Sequence, residues 1–482
     1  MARSGVADGG RTAVVWFRRD LRVHDHPALV AAIARAQRVV PLFVVDDVLL
    51  RRGATAAPDR VAFMLASLHA LDASLAARGA RLLVRRGDPA RVVPAVAAEI
   101  GADEVHVTRD VGPYGRVRDA RVADALAADG RSFHEAPGLL FAEPHEIRTA
   151  AGGAYRVFAP FARRVAAHPV RDLLAAPGRI PGGRPDGAAD TDPAAIPELA
   201  DLGLPPATAT GIPEPGEPAA RARLDRWVAG GLAGYAASRD LVAVDGTSRL
   251  SQDLRWGLLS PVEVLVRTRG AGPGGERFAT EIAWREFYAH LLAADPRIVT
   301  AAYRRDTGHV PWRHDPVGLD AWRAGRTGFP VVDAAMRQLA AMGWMHNRAR
   351  MIAASFLVKD LLVDWREGER HFMRTLVDGD LASNNGGWQW VAGTGADAAP
   401  WFRVLNPSLQ GMRFDPDGAY VRRWVPELGD VPTRFVHAPW TMPADVAARA
   451  GMLLGRDYPA PIVDHADARR RALEAHRSAG TG

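Results

Sequence analysis

Cysteine is absent from this chain of 482 residues. Its absence excludes disulfide bonds, thiolate metal sites and catalytic thiols. The sequence also lacks any run approaching the roughly 20 uncharged apolar residues that a membrane helix needs. Its first ten residues, MARSGVADGG, are small and polar, unlike the apolar core of a signal peptide. We therefore expect a cytoplasmic protein with no membrane contact.

Lysine is scarce as well, so arginine supplies nearly all of the positive charge. The formal net charge is +6 and the sequence pI is near 10.1. This excess favours a polyanionic partner such as nucleic acid, because guanidinium groups match phosphate geometry. A biased base composition, which also enriches Ala, Gly and Pro, would produce the same excess, and charge alone leaves both explanations open. That bias does not account for the 13 Trp.

The first part of the chain alternates short apolar segments with helical patterns. The pattern predicts strands at residues 13–17, 39–45, 81–85 and 104–108, and helices at 26–35, 59–78, 89–99 and 114–128. Such alternation predicts an α/β domain with a doubly wound, parallel, Rossmann-like sheet. The first turn, FRRDLRVHDHPAL, lacks the glycine fingerprint of a dinucleotide site, so we expect no nicotinamide cofactor.

A segment dense in Pro, Gly, Ala and Asp follows at residues 177–218 and predicts a connector on the surface. Beyond it the patterns are helical, at residues 221–229, 278–294, 331–342 and 347–362. We therefore predict an α/β domain over residues 1–135, a linker over 136–212 and an all-helical domain over 213–482.

One helical pattern, TEIAWREFYAHLL, carries aromatic and charged residues together. Glu281, Trp284, Arg285 and Tyr288 are spaced to share one helix face. A mixed stripe of this kind suits the wall of a cleft that binds a flat polar ligand. The alternative is a packing edge on which Arg extends over apolar surface.

A second pattern, GWMHNRARMIAASFLVKDLL, places Asn347 and Met351 on one helix face, flanked by Arg348 and Arg350. The amide of Asn347 enters a largely apolar setting and needs a hydrogen-bond partner. The edge of a base or the ring of a flat cofactor would serve, and so would a backbone carbonyl.

Two loops carry polar groups without a helical pattern. In VDGDLASNNGGWQW, Asp378 and Asp380 lack the additional ligands that a metal site would need, but they could accept from ring N–H groups or ribose hydroxyls. A solvated turn is the alternative. GTSRLS offers hydroxyls before a helix, suited either to phosphate binding or to a helix cap.

Together these segments closely resemble the photolyase/cryptochrome family. The motifs that carry the resemblance occur in the order FRRDLRVHD, GTSRLS, WREFY, GFPVVDAAMRQL, GWMHNRARM, ASFLVKDLL, DWREGE, DGDLASNNGGWQW, AAPWFRVLNP and WVPEL. The match is weakest at residues 175–220 and closest to bacterial class I photolyases. It implies FAD, active as FADH⁻, in the helical domain and light-driven electron transfer to cyclobutane pyrimidine dimers in UV-damaged DNA, with the dimer extruded from the duplex.

The resemblance also implies roles for individual residues. The residues implied to contact the lesion are Glu281, Trp284, Asn347, Met351 and Trp390. Those implied to bind FAD are Tyr235, Thr247, Ser248, Arg249, Leu250, Ser251, Arg350, Asp378, Gly379, Asp380 and Asn384. Within this set Arg350 is expected to pair with Asp378, and Asn384 to face flavin N5. The implied electron-transfer chain is Trp388, Trp365 and Trp312. The implied DNA-binding residues are Arg239, Arg285, Tyr288, Arg348, Arg403 and Gln410. No metal is implied.

Several alternatives stay open within this resemblance. A cryptochrome is disfavoured because Asn384 stands where plant receptors resemble Asp and animal ones Cys, and because the chain ends soon after the helical domain. A six-four photoproduct enzyme is disfavoured because Asn347 follows His346 and Met351 replaces an expected His. A non-repair flavin oxidoreductase finds no nicotinamide site.

The sequence also leads to expectations about the antenna pigment and the oligomeric state. The segment TRDVGPYGRVRD departs from the Asn-Glu pattern of folate-binding relatives. A deazaflavin antenna is therefore expected ahead of methenyltetrahydrofolate. We expect a monomer.

Overall fold

The computed structural model describes residues 10–51, 56–182, 196–307, 309–400 and 402–479. Its first part is an α/β unit around one parallel sheet of five strands, in the order β3-β2-β1-β4-β5. The strands are β1 (Thr12–Phe17), β2 (Arg38–Asp46), β3 (Leu83–Gly87), β4 (Glu104–Thr108) and β5 (Ser132–Ala136). The helices are α1 (Pro27–Arg35), α2 (Asp47–Arg51), α3 (Pro58–Ala76), α4 (Pro89–Glu99) and α5 (Pro113–Ala128). The predicted α/β class with a parallel sheet is confirmed.

The strands differ in how clearly the sequence shows them. β1 is buried along its whole length, as expected for a central strand with helices on both faces. β5, with the sequence SFHEA, was not predicted. Among the described strands it pairs with β4 alone. It carries polar side chains and no apolar run because its residues are half-buried or exposed.

Every described element after β5 is helical. These helices are α6 (Phe158–Ala166), α7 (Glu217–Arg226), α8 (Tyr235–Ser238), α9 (Ser251–Trp256), α10 (Pro261–Thr268), α11 (Gly272–Ala294), α12 (Pro316–Arg323), α13 (Pro330–Met342), α14 (Asn347–Ser355), α15 (Trp365–Thr375), α16 (Leu381–Ala392), α17 (Pro407–Phe414), α18 (Ala419–Trp424), α19 (Ala444–Arg449) and α20 (His465–Ala479). Wider π-helical turns continue α7 at Trp227–Gly231 and α14 at Phe356–Asp360. Short 3₁₀ turns lie at Ala200–Leu202, Pro296–Val299, Arg305–Thr307, Pro426–Leu428, Thr433–Phe435 and Pro439–Thr441.

The region predicted as a linker contains ordered, buried structure. α6 lies within it and packs against α11. Ile180 and Leu202, at 1% and 8% exposure, anchor the flanks of the connector in the core. The connector therefore does not run wholly over the surface, because single apolar anchors are hidden in a Pro- and Gly-rich composition. Residues 183–195 of it lie outside the described residues, and the domain boundaries stay a prediction.

One apolar core joins the α/β unit to the helical part. It includes Val15 of β1, Leu68 of α3, Phe161 of α6 and Phe287 of α11. A second core lies within the helical part and contains three buried Trp, at positions 322, 365 and 388. Since both units share the first core, the loops that each contributes are fixed relative to one another.

None of the helices in the described ranges is both long enough and apolar enough to cross a membrane.

Candidate active site

A cavity of about 530 Å³ lies among α11, α14, α16 and the loop before α16. This volume is typical of a site for a cofactor or small ligand. The predicted residues in its wall are Arg239, Ser251, Glu281, Trp284, Arg285, Tyr288, Asn347, Arg348, Arg350, Met351, Asp378, Gly379, Asp380, Asn384, Trp388 and Trp390. The predicted residues outside that wall are Tyr235, Thr247, Ser248, Arg249, Leu250, Trp312, Trp365, Arg403 and Gln410.

An ion pair lies on the polar side of the cavity. Arg350 Nη2 donates to Asp378 Oδ2 at 2.8 Å, so the expected pairing of these residues is present. The other oxygen, Asp378 Oδ1, is buried without a hydrogen-bond partner among the described residues. A buried carboxylate oxygen in that condition is destabilised unless a donor reaches it. The ring N–H groups of a flavin are donors of the required kind.

Asp380 contributes a second, strongly ionised carboxylate. Its Oδ1 accepts from Ser383 N at 3.0 Å and caps α16, while its Oδ2 lies 3.4 Å from Arg19 Nη2. Burial alone would raise the pKa of Asp380, but the guanidinium groups of Arg19, Arg255 and Arg285 lower that pKa to about 2. Asp380 is therefore an acceptor at any physiological pH.

Two arginines that sequence reasoning missed, buried Arg60 and half-buried Arg255, hold the Asp378–Asp380 loop. Arg60 of α3 donates from Nη1 to the carbonyls of Met373 and Leu376 at 2.7 and 2.8 Å. Arg255 of α9 donates from Nε to Gly379 O at 2.8 Å. Burial lowers the pKa of Arg60 to about 10 and that of Arg255 to about 9, so both stay cationic at neutral pH. Their charges make this side of the cavity favourable for an anionic ligand.

Asn384 is fixed by its amide nitrogen. Asn384 Nδ2 donates to Glu369 O at 3.0 Å, which leaves Oδ1 to accept a hydrogen bond. Burial raises the pKa of the neighbouring Glu369 carboxyl to about 7. An acceptor on α16 at the cavity wall suits the N–H group of a reduced flavin ring.

The mouth of the cavity combines an aromatic wall with a carboxylate. Glu281 forms ion pairs with Arg239 and, at 3.0 Å, with Arg277. Trp284 stacks on Phe158 with ring centroids 3.6 Å apart and planes inclined by 5°. All four members of the predicted stripe on α11 reach the cavity, which confirms the interpretation of that pattern as a cleft wall. Phe158 was missed because it lies in the region interpreted as a linker.

The residues of the second helical pattern also line the cavity. Asn347 and Met351 both line the cavity from α14, as their spacing predicts. The expected apolar setting of Asn347 is wrong, because its side chain is exposed at the start of α14, and its amide is therefore available to a ligand at the mouth. Trp390, from α16, borders both this cavity and a small adjoining pocket that Arg403 also lines.

The GTSRLS segment enters the site at its last residue. Ser251 begins α9 and lines the cavity. The cap alternative is wrong, because Leu250 occupies the N-cap position and no side chain caps the helix. Arg249 adopts a left-handed backbone with φ of 50° and lies over the Trp344 ring at 4.7 Å. Because Leu250 is the N-cap residue, the hydroxyls of Thr247, Ser248 and Ser251 do not cap α9.

The three predicted electron-transfer tryptophans differ in where they lie relative to the cavity. Trp388 lines the cavity. Trp365 shares its core, and Trp312 packs against the edge of that core. Trp388 also makes edge-on contacts with Phe372 at 4.9 Å and with Trp322 at 6.1 Å between ring centroids. Trp322 was not predicted, since a buried Trp in a helix is indistinguishable from core packing in sequence.

The predicted DNA contacts differ in their availability. Arg403 is exposed and Gln410 is half-buried on α17. Arg348 pairs with Asp240 at 2.9 Å. Arg285 donates to Leu139 O at 2.8 Å and pairs with Glu286 at 2.8 Å, with only 17% of its side chain exposed. Arg285 is thus engaged inside the protein, and its geometry opposes the predicted contact with DNA.

Comparisons with known proteins agree with this geometry. Residues 13–178 match the family model described as DNA photolyase, and residues 278–478 match the FAD binding domain of DNA photolyase. A deoxyribodipyrimidine photo-lyase of Streptomyces griseus is 47% identical over 462 residues, which cover 95% of this chain and 98% of the relative.

Solved structures give the same result. A bacterial class III photolyase from Agrobacterium tumefaciens superposes with a TM-score of 0.92 at 39% identity and covers 100% of both chains. A cryptochrome from Synechocystis sp. superposes with a TM-score of 0.88 at 29% identity, covering 96% of this chain and 99% of the other.

An FAD-binding helical part joined to a parallel α/β unit, with a charged and aromatic cavity, defines a flavoprotein of DNA photorepair. The chain belongs to the photolyase family. The enzyme class predicted from the sequence, deoxyribodipyrimidine photo-lyase, is confirmed by its relatives.

Proposed function

We propose that this protein repairs cyclobutane pyrimidine dimers in DNA under blue light. When bound in the cavity, reduced FAD supplies the electron that splits the dimer and takes it back afterwards. The protein's own contribution is to bind, to orient and to exclude water. No general base or nucleophile is needed for the bond cleavage.

This proposal is supported by the observation that one cavity contains both a polar side and an aromatic mouth. Its polar side, with Asp378, Asp380 and Asn384, offers acceptors for the ring N–H groups of a flavin and for ribose hydroxyls. Its mouth, with Trp284 and Trp390, offers flat apolar surfaces suited to unstacked bases. A lesion and a cofactor bound to these two walls would lie in direct contact. Such contact is what electron transfer between them requires.

Glu281 and Asn347 have the donor and acceptor groups for recognising pyrimidine edges. Glu281 faces two cations, Arg239 and Arg277, which hold it at the mouth. Contact with a base edge would exchange part of this ion pairing for hydrogen bonds to the lesion. Asn347 can donate and accept at once, as the polar edge of a pyrimidine requires.

The same wall accounts for binding of the reduced cofactor. Arg60, Arg255 and Arg350 surround the loop with positive charge. Because the reduced flavin is an anion, this charge favours it over a neutral ring. Asn384 Oδ1 would accept from the flavin N5–H and keep that proton in place.

The test is light-dependent repair of irradiated thymine-rich DNA by the purified, reduced protein. Glu281→Ala is expected to lower lesion binding or repair yield at least about tenfold, because a charged hydrogen bond contributes roughly 1.5–3 kcal/mol. Glu276→Ala is the matched control, since Glu276 is an exposed carboxylate on the same helix, outside the cavity. If the reduced parent protein leaves the dimers intact, the proposal is wrong.

The rival activities give different outcomes in the same assay. A cryptochrome-type receptor would undergo flavin photoreduction and split no dimer. A six-four enzyme would restore six-four photoproducts and leave cyclobutane dimers. In a flavin oxidoreductase, a soluble donor would reduce the FAD rapidly, and DNA would not affect the reaction.

We propose the chain Trp388, Trp365 and Trp312 as the route that returns oxidised flavin to its active form. Aromatic rings suit this role because an indole can lose an electron transiently. Its test is photoreduction of bound FAD in Trp365→Phe, where loss of rapid reduction is expected. Trp424→Phe serves as the control, because Trp424 lies in the same helical part and outside the cavity.

We further propose a deazaflavin as antenna, with methenyltetrahydrofolate as the alternative. This choice is supported by the departure of the segment TRDVGPYGRVRD from the Asn-Glu pattern of folate-binding relatives. Contacts within the α/β unit help to hold this segment in place. Tyr114 Oη donates to Asp46 Oδ2 at 2.5 Å, and Arg118 pairs with Asp119 at 2.9 Å. An absorption spectrum separates the two pigments, because the deazaflavin absorbs further to the red. We also propose that the protein is a monomer and that it is cytoplasmic. Sedimentation of the holoprotein tests the monomeric state.

A further inference from the structure

A cluster of two histidines and a glutamate lies in the α/β unit, outside the flavin cavity. Glu104 and His106 are two residues apart on β4 and therefore point to the same face of the sheet. His134 of β5 is the register partner of His106 across the parallel pair. Strand geometry thus brings three metal-binding side chains together.

The distances among these side chains match a coordination site. His106 Nε2 lies 3.1 Å from Glu104 Oε1, and His134 Nε2 lies 3.3 Å from Glu104 Oε2. One ligand atom of each residue lies within 4.8 Å of those of the other two. Ligands bound tetrahedrally to Zn²⁺ at about 2.0–2.1 Å are about 3.3–3.4 Å apart. The side chains could close on an ion with small rotations.

The ligand atoms are also buried, and the two imidazoles share the Glu104 carboxylate as their close polar partner. Glu104 Oε1, His106 Nε2 and His134 Nε2 are buried, and in the described part of the chain the two imidazoles make close polar contact only with the Glu104 carboxylate. The Glu104 and His106 side chains are only 2% and 3% exposed. Buried polar atoms need such partners, because each unsatisfied group is destabilising. An ion bound among the three side chains would replace these contacts with coordination bonds to all of them.

Two arginines also reach this carboxylate, and their contacts are confined to one oxygen. Arg35 Nη2 lies 3.3 Å and Arg11 Nη1 3.9 Å from Glu104 Oε2. These cations oppose a second positive charge, but they leave Glu104 Oε1 for an ion. Both arginine side chains are about half exposed, so water screens their charge.

We propose that Glu104, His106 and His134 form a site for a divalent transition metal, with Zn²⁺ as its natural occupant. Two imidazoles and one carboxylate are a typical ligand set for Zn²⁺, whereas Mg²⁺ and Ca²⁺ require oxygen ligands. His134 is 36% exposed and gives the site access to solvent. A water molecule would complete the tetrahedron.

The position of the site defines its role. In the sheet formed by the described residues, β5 is an edge strand that pairs with β4 alone. A metal ion bound by both strands would cross-link them and stabilise this edge of the sheet. The site shares no residue with the flavin cavity, so repair of DNA is not expected to require the metal.

The experiment is a Zn²⁺ titration of the full-length FAD-loaded protein without a polyhistidine tag, after treatment with a chelator. One equivalent is expected to bind and to raise the thermal midpoint, because an ion that binds only the folded state stabilises it. His134→Ala is expected to weaken binding at least tenfold. His145→Ala, which removes an exposed histidine outside the cluster, is expected to bind like the parent.

Cobalt provides a second readout that does not depend on stability. Because the chain has no Cys, Co²⁺ at this site would show the visible absorption of a tetrahedral nitrogen and oxygen site, without thiolate bands. His106→Gln is expected to abolish this spectrum while retaining the circular dichroism of the folded parent. Failure of the parent to bind either metal, or equal binding by parent and His134→Ala, would overturn the proposal.

Discussion

At the scale of single residues, Asp378 is the point where the protein's own hydrogen bonding is incomplete. Arg350 satisfies one oxygen of Asp378, and the other has no partner among the described residues. The first prediction is that Arg350→Met weakens FAD binding about 10–100-fold, because it leaves a buried carboxylate without its cation. Fluorescence titration of the flavin-free protein with FAD measures this loss. Arg374→Met, at an exposed site on α15, is the control and is expected to bind FAD normally.

Lys359 is the only lysine in the sequence, and it is almost fully buried. Its Nζ donates to Ala392 O at 3.1 Å and lies 2.9 Å from His476 Nε2. Burial lowers the pKa of Lys359 to about 7. A lysine in the unfolded chain titrates near pH 10.4. The unfolded state therefore binds the additional proton between these two pH values.

The free energy of unfolding is therefore expected to rise with pH from about 7 toward 10. Lys359 contributes up to about 1.4 kcal/mol per pH unit to this slope. Lys359→Met is expected to lose that part of the slope, because Met has no proton to exchange. Urea unfolding at pH 7 and pH 9 measures the difference between the two proteins. No other lysine can contribute to it. Equal slopes in parent and variant would show that Lys359 stays charged in the folded protein.

At the scale of helices, the pair Gly386 and Gly387 in α16 shows how closely α11 and α16 pack. A Cβ at Gly386 would lie 2.1 Å from Tyr288 Cδ1, whereas a Cβ at Gly387 would meet no atom within 4 Å. Gly386→Ala is therefore expected to destabilise the protein by at least about 1–3 kcal/mol through overpacking.

The neighbouring substitution is its matched control. Gly387→Ala is expected to stabilise α16 by up to about 1 kcal/mol, because alanine has the higher helix propensity. The urea midpoint of flavin-free protein measures both, so that the position of Gly387 at the cavity wall does not affect the result. A similar change in both variants would contradict this account of the helix contact.

The same elements show what sequence can and cannot reveal. The stripe on α11 and the pair Asn347–Met351 were predictable, because helical spacing alone decides which side chains share a face. β5 was missed because an exposed edge strand has no apolar alternation to recognise. Arg60 and Arg255 were missed for another reason: they reach the loop at Asp378 from distant parts of the chain. Only the tertiary structure brings such partners together.

At the scale of the whole molecule, the shared core makes the site a product of both parts of the chain. Phe158, from the predicted linker, supports Trp284 at the cavity mouth. Glu286 of α11 accepts from Phe141 N at 2.8 Å, and buried Arg22 donates to Gly138 O at 3.1 Å and to Gly257 O at 3.0 Å. The geometry of the cavity therefore depends on contacts made well outside it.

The net charge of +6 belongs to the whole molecule too, and its effect on DNA binding is separable from recognition of the lesion. Phosphate contacts by exposed arginines release counterions, so binding weakens as salt increases and does so for any DNA sequence. Arg403 is exposed beside the pocket that Met351 and Trp390 also line, and it makes a candidate for such a contact.

The last prediction is that Arg403→Gln weakens binding to damaged and undamaged DNA by the same factor. It should also reduce the slope of log K against log salt by about 0.9, the value for one phosphate contact. Glu281→Gln, in contrast, should weaken binding to damaged DNA alone and leave the salt slope unchanged, because its partner is a base edge. Fluorescence anisotropy at several salt concentrations, with matched duplexes that contain or lack one dimer, separates the two effects. Arg449→Gln removes an exposed cation outside both pockets and should change neither quantity. A selective effect of Arg403→Gln on damaged DNA would instead place that side chain on the lesion itself.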